Sequence, residues 1–241
     1  MTSSTLRYRR LEGEFSRLIL RGQDRVRFLS GMVTCDVKGL GPQAGTYGAL
    51  LTVKGKVVSD LLVANRSGDD LLLLVRSFVA KHVIESLDRY IIVDDAVLTD
   101  ESADLAHLGV YGASALSVLT GDPDASLDPY LGRVQEGAWL WACRELGPDS
   151  FHVIGPAATV SAMEQKLVAA GALALSDSDA EVLRVEAGRP RMGVDFDEER
   201  LPQEAALDDA LCFTKGCFLG QEVVVRLRDG DSSTVAWWVC A

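Results

Sequence analysis

The chain has 241 residues, 48% of them hydrophobic and 24% charged, with a formal net charge of -11. A length beyond one ordinary domain of roughly 100–150 residues predicts two intimately packed units with a real core, and the composition excludes disorder and collagen-like repeats. The acidic balance argues against duplex nucleic acid and bulk membrane surface as partners, since each needs a basic face.

In chain order, the N-terminus "MTSSTLRYRRLEGEF" lacks the apolar core of a signal peptide, and no segment reaches the roughly 18 apolar residues of a membrane span. A cytoplasmic protein is expected. Arg7 to Arg10, "RYRR", reads as the solvated edge of a first strand. Asp24 is placed to cap a short helix carrying Val26, Leu29 and Val33 on one face. Next, "TYGALLTVKGKVVSDLLVANRSGDDLLLLVRS" holds β-rich runs around Lys54-Gly55-Lys56 and Ser67-Gly68-Asp69, predicting an antiparallel meander. "FVAKHVIESLDRYI" spaces Val79, Val83 and Leu87 four apart and predicts an amphipathic helix.

A similar order recurs after "TGDPDASLDPYLGR". "AWLWACRELGPDSFHVIG" reads as strand, Gly-Pro turn, strand, and "PAATVSAMEQKLVAAG" as a helix with Val160, Met163 and Leu167 on one face and Gly171 at its end. Two such units predict an α+β protein of two antiparallel-sheet-plus-helix lobes, approximately 46–120 and 133–210, with 1–45 and 211–241 packing between them. Chance recurrence of a common motif is the alternative. "SDSDAEVLRVEAGRPRMG" carries a capping-box pattern from Ser178 to Glu181 and a helical run stopped by Gly188 and Pro190. Arg184 and Glu186, two apart, cannot share one face of that helix.

Chemistry concentrates in "TKGCFLGQE", residues 214–222. Gly216 and Gly220 flank Cys217 and allow a sharp bend or close approach. If "GQEVVVRLR" starts a helix, its N-terminus and Lys215 favour a thiolate at Cys217; the β-branched Val223 to Val225 fit a strand equally well. A reactive or ligating Cys217 and a small turn cysteine both remain open. Asp60 is the one charge in "VVSDLLVA", so a strand there buries a carboxylate that needs a basic side chain or a nitrogen-rich ligand such as a pterin. Arg184, Glu186 and Arg226 are further polar candidates, each also readable as a surface ion pair.

Cys35, Cys143, Cys212, Cys217 and Cys240 show no paired spacing, so reduced thiols are expected. The histidines are three and widely spaced, with no metal motif, and no Ser-His-Asp arrangement stands out. Trp139, Trp141, Trp237 and Trp238 read as core or edge-strand residues, without the basic surround of a base-stacking platform.

"TKGCFLGQEVVVR" resembles the K-G-C-[FY]-x-G-Q-E signature of YgfZ-type folate-binding proteins, relatives of the glycine-cleavage T-protein, an aminomethyltransferase. "FLSGMVTCDV", "LLTVKGKVVSDLLV" and "RVEAGRPRMGVDFDEERLPQEA" resemble further blocks in the same order, from about Phe28 to Arg226. The resemblance implies the T-protein/YgfZ fold with its C-terminal β-barrel domain absent or truncated. It implies a tetrahydrofolate, or a one-carbon-substituted derivative, as ligand and assistance to iron–sulfur cluster assembly or repair as the role. Cys217 becomes the functional thiol with Lys215 beside it, and a shared ligand of a transient cluster. Asp60, Arg184, Glu186, Gln221, Glu222 and Arg226 become the folate-site candidates, and iron–sulfur assembly or client proteins the partners. Two departures stand out: Ser59 occupies the place of one of the T-protein's paired acids, and Cys35 that of an Asn. An accessory factor is therefore expected ahead of a transferase, with a degenerate paralogue that keeps the fold and has lost the ligand as the further alternative.

Overall fold

A computed structural model describes residues 5–229, so Trp237, Trp238 and Cys240 lie outside the described residues. The chain runs β1 (Arg7–Arg10), β2 (Phe15–Arg21), α1 (Arg25–Met32), β3 (Ala44–Leu51), β4 (Val57–Asn65), β5 (Leu71–Arg76) and α2 (Ala80–Asp88). It continues through β6 (Val97–Asp100), β7 (Ala106–Tyr111), α3 (Ala115–Thr120), β8 (Gly132–Gln135), β9 (Ala138–Cys143) and β10 (Ser150–Gly155). Last come α4 (Ala157–Ala169), β11 (Leu173–Ala174), α5 (Asp177–Glu186) and α6 (Gln221–Asp229).

Two sheets result, ordered β11-β1-β7-β10-β9-β8 and β3-β4-β5-β2-β6. The meander β3-β4-β5 forms as its turns predict, and all ladders except β1 with β11 are antiparallel. The first and second strands part company, one into each sheet, and β7 joins the sheet of β9 and β10. Segment 46–120 thus feeds both sheets.

Strand alternation decides which side chains meet where. Leu71, Leu73 and Val75 of β5 pack outward with α1 and α2, while Leu72 and Leu74 face the other sheet beside Trp139, Trp141 and Ile154. Leu140, Ala142, Phe151 and Val153 pack outward under α3 and α4. Both sheets are therefore covered on both faces, which explains why "LLLLVR" is an unbroken buried run. Helix α4 presents Val160, Met163 and Leu167, each 0% exposed. Full burial of such a side chain is worth about 1.5–3 kcal/mol.

Two cap expectations need correction. Asp24 stands at the N-cap of α1 without a side-chain cap bond, because its Oδ2 accepts from the Asp95 amide at 2.9 Å and its Oδ1 pairs with Arg27. Helix α5 starts two residues before the pattern placed it: Ser176 Oγ accepts from Asp179 N–H at 3.1 Å, and Glu181 pairs with Arg184 instead of capping. The arginines of β1 are ion-paired, Arg9 with Glu14 and Asp177, Arg10 with Glu12 and Glu164. Among the described residues no helix is long and apolar enough to cross a membrane.

Candidate functional site

Polar residues at inner-face positions of both sheets line a cavity of about 60 Å³ at the seam. Phe15, Asp60, Leu62, Leu74 and Arg76 come from one sheet, Cys143 and the following Arg144 and Glu145 from the other, and Arg184 and Arg189 from α5 and beyond. Asp60 is fixed by Tyr47, whose hydroxyl donates to its Oδ2 at 2.9 Å, while its Oδ1 is sealed from solvent and has no partner. Burial raises the Asp60 carboxyl above its ordinary value, against the pull of Arg76 and the Tyr47 hydrogen bond. An orphaned buried acceptor costs about 1–3 kcal/mol, so Oδ1 is a place where a ligand N–H gains.

Arg76 closes one wall. Its guanidinium pairs with Glu14 and, at 3.5 Å, with Glu145, and lies 4.2 Å over the Phe15 ring. Burial would lower its pKa, but Glu145, Asp60 and Glu14 outweigh burial and raise it. Behind Glu145 stands His152, with Nε2 at 3.3 Å from Oε2, and behind that His107, whose Nε2 is 2.6 Å from His152 Nδ1. Burial opposes charge on both rings. For His152 the neighbouring Cys143 and Glu145 reverse this and push it up to about 10, whereas His107, facing His152, Arg17 and Arg76, falls well below the usual value. One imidazolium and one neutral imidazole follow: His152 donates from Nδ1 and His107 accepts at Nε2.

Of the sequence candidates, the seam cavity brings together Asp60 and Arg184. Arg184 is 4% exposed and pairs with Glu181 and Asp195. Glu186 is exposed and lines a separate recess with Arg7 and Tyr111. Gln221 Oε1 accepts from Phe218 N–H at 3.2 Å, and Glu222 and Arg226 form an exposed pair one turn apart on α6. Residues 221–229 are thus helical, which resolves the helix-or-strand alternative.

Lys215, Cys217, Gln221, Glu222 and Arg226 do not line the seam cavity. Lys215 Nζ donates to the carbonyls of Ser30, Val33 and Cys35 at 2.6, 2.6 and 2.8 Å, clamping the motif loop to the end of α1, and burial lowers its pKa. Cys217 is exposed on that loop. Gly220 has φ +79° and a Cβ there would stand 2.5 Å from the Thr52 carbonyl oxygen, so the loop abuts the β3–β4 turn. Gly216 meets no such demand, having open space around it. Asp60 lies five residues along from Gly55 of that turn, roughly 17 Å at about 3.3 Å per residue.

The thiols differ sharply. Burial pushes Cys35 up to about 12, while burial of Cys212 is overridden by the Thr214 hydroxyl and the N–H groups of Thr214 and Lys215, which lower it. Among the described residues no group of three His, Cys, Asp or Glu side chains is placed to hold a metal.

Tyr47, Arg76, Glu145, His107 and His152 were not singled out from sequence. The signal existed: each histidine is a polar residue inside a buried β run, "AHLGVY" and "SFHVIG", the same anomaly that marked Asp60.

The GCVT N-terminal domain profile matches residues 13–215. The "tRNA-modifying protein YgfZ" of Serratia proteamaculans is 27% identical over 94% of this chain, and the "Aminomethyltransferase" of Rubrobacter xylanophilus 30% identical over 87%. The chain spans 68% and 58% of their lengths. The crystal structure of glycine cleavage system aminomethyltransferase T from Bartonella henselae superposes with a TM-score of 0.84 at 21% identity, over 95% of this chain and 65% of that one. The expected mixed α+β fold is thereby shown, with 32% of the Serratia, 42% of the Rubrobacter and 35% of the Bartonella protein outside the match. The chain is a member of the GCVT N-terminal domain family, with YgfZ proteins as distant homologues.

Proposed function

We propose that this chain binds a tetrahydrofolate, or a one-carbon-substituted derivative, at the seam cavity and serves iron–sulfur cluster assembly or repair through Cys217. The observation that carries the folate reading is the unpartnered, solvent-sealed Oδ1 of Asp60, a residue that lines that cavity. A pterin offers N–H donors that such an oxygen accepts, and Phe15, Leu62 and Leu74 offer apolar walls. At about 60 Å³ the cavity is smaller than the roughly 300–1,000 Å³ of a pocket for a drug-sized molecule. It takes the polar edge of a ring, and Arg144 and Arg189, the latter also paired with Asp209 at 3.0 Å, are then the lining cations for an anionic tail.

The exposed Cys217 supports a role in contact with a partner. One thiolate cannot complete a four-thiolate shell, so a cluster is cargo shared with an assembly or client protein. The name of the Serratia relative fits this reading if a client iron–sulfur enzyme makes the modification, since a net charge of -11 disfavours a direct grip on RNA phosphates.

The test is an equilibrium titration with reduced folates followed by tryptophan fluorescence, Trp141 being bonded through Nε1 to the carbonyl of Tyr130 on the cavity wall. Saturable binding weakened tenfold or more by Asp60→Ala supports the reading; no binding at millimolar folate refutes it. Unchanged activity of iron–sulfur enzymes in cells carrying Cys217→Ala refutes the second half. A one-carbon transferase is the second reading, favoured by the Tyr47-held acid at Asp60. Methylene-tetrahydrofolate formation from an aminomethyl donor, lost in Asp60→Asn, selects it.

A further inference from the structure

Arg76 lines a second recess as well as the seam cavity. This groove has a volume of about 710 Å³, within the roughly 300–1,000 Å³ of sites for drug-sized molecules. Four arginines, Arg9, Arg10, Arg76 and Arg191, line it together with two carboxylates, Glu14 and Asp177. The positive surplus is local, because the whole chain has 35 acidic against 24 basic residues.

Carboxylates hold the arginines in place: Glu14 at 2.8 Å and Asp177 at 3.0 Å from Arg9, and Glu181 at 3.1 Å from Arg191. The Asp177 side chain is 96% exposed, so its pair is screened by water and yields to a stronger anion at little cost. Arg76 is buried, and its Nε is sealed from solvent without an acceptor. One donor of the lining is thus unspent.

The groove also has an apolar wall. The three-residue turn Ser77–Val79 sends Val79 into the core and leaves Phe78 65% exposed. A Cβ at residue 193 would stand 2.8 Å from Phe78 Cζ, so Gly193 lets the chain pass against the tip of the ring. Exposed Val194 extends this apolar wall. A ring beside guanidinium groups suits a flat π system with an anionic end. A carboxylate offers two oxygens and occupies one guanidinium fork, whereas a phosphate monoester offers three and can bridge two. Arg9 and Arg191 come from separate segments, which favours the bridging anion.

We propose that this groove binds a free nucleotide, with its phosphate among Arg9, Arg191 and Arg76 and its base against Phe78. The acidic balance of the chain disfavours a polynucleotide there. The site is separate from the folate reading, since neither Phe78 nor Arg191 lines the seam cavity.

The purified chain is titrated calorimetrically with adenosine 5′-monophosphate at low ionic strength, with adenosine and 2-naphthoate as comparisons. Saturable binding of the nucleotide is expected, at least fivefold tighter than that of adenosine. Phe78→Ser and Arg191→Gln should each weaken it fivefold or more while keeping the thermal midpoint of the unaltered chain. Nucleotide binding unchanged in either variant, adenosine as tight as the nucleotide, naphthoate tighter than the nucleotide, or no binding at millimolar nucleotide overturns the proposal. Should Arg191→Gln lower the midpoint, Phe78→Ser decides, because its side chain is exposed and carries little packing.

Discussion

The seam between the sheets and the motif loop 211–220 use polar groups in opposite ways. At the seam, Asp60 Oδ1 and Arg76 Nε are buried without hydrogen-bond partners around a cavity. In the loop, Lys215 spends all three protons on carbonyls and Gln221 closes the turn, leaving Cys217 as an exposed thiol. The motif loop is a latch carrying one thiol, and the unpartnered buried polar atoms lie at the seam, of whose residues Asp60 falls in a recognisable block.

The contrast can be broken most forcefully at Arg76. Arg76→Met leaves Glu14 and Glu145 without their shared cation, and urea unfolding should show a loss of about 3–5 kcal/mol, the cost of stranding buried charge. Next in size is pH. His152, raised when folded, contributes stability that is full below its unfolded value near 6.5 and is lost as pH rises through about 10; by pH 9 the loss reaches at most about 3 kcal/mol. His107, lowered when folded, contributes above about 6.5 and loses its contribution as pH falls below it. Stability curves by denaturant should therefore peak near pH 6.5, and a flat curve from pH 6 to 9 would break the assignment of charges.

Lys215→Met should cost about 2–3 kcal/mol, read in the same urea experiment, while leaving the seam residues in place. The two glycines of the motif sharpen the point: Gly220→Ala should cost about 1–2 kcal/mol in thermal unfolding, from its positive φ and the Thr52 clash, and Gly216→Ala next to nothing. Smallest of all, Cys217→Ser should stay within about 0.5 kcal/mol, as expected for an exposed side chain without packing duties.

Local patterns carried the elements well. The faces of α2 and α4 follow from three- and four-residue spacing, and the Lys54-Gly55-Lys56 turn from β-rich flanks. The caps slipped for different reasons: Asp24 has a distant partner, Asp95, that only the fold supplies, whereas Ser178 lost the cap to its near neighbour Ser176. The seam was hidden for a deeper reason. Asp60, Arg76, Glu145 and His152 are scattered over more than ninety positions and share a site only because three strands from two sheets, and the turn after β9, bring them to one seam. Asp60 alone could be suspected, since a carboxylate in an apolar strand is conspicuous where an arginine at a strand end or a lone histidine is not.

The contact between Gly220 and Gly55 has an evolutionary reading. Each has a positive φ, and a methyl group on either runs into the other segment: Val223 on one side, Thr52 on the other. Neither position has a neutral first step by substitution, so in a lineage that abandons the motif loop the hairpin glycine is released from its constraint as well, and the two should disappear from related chains together.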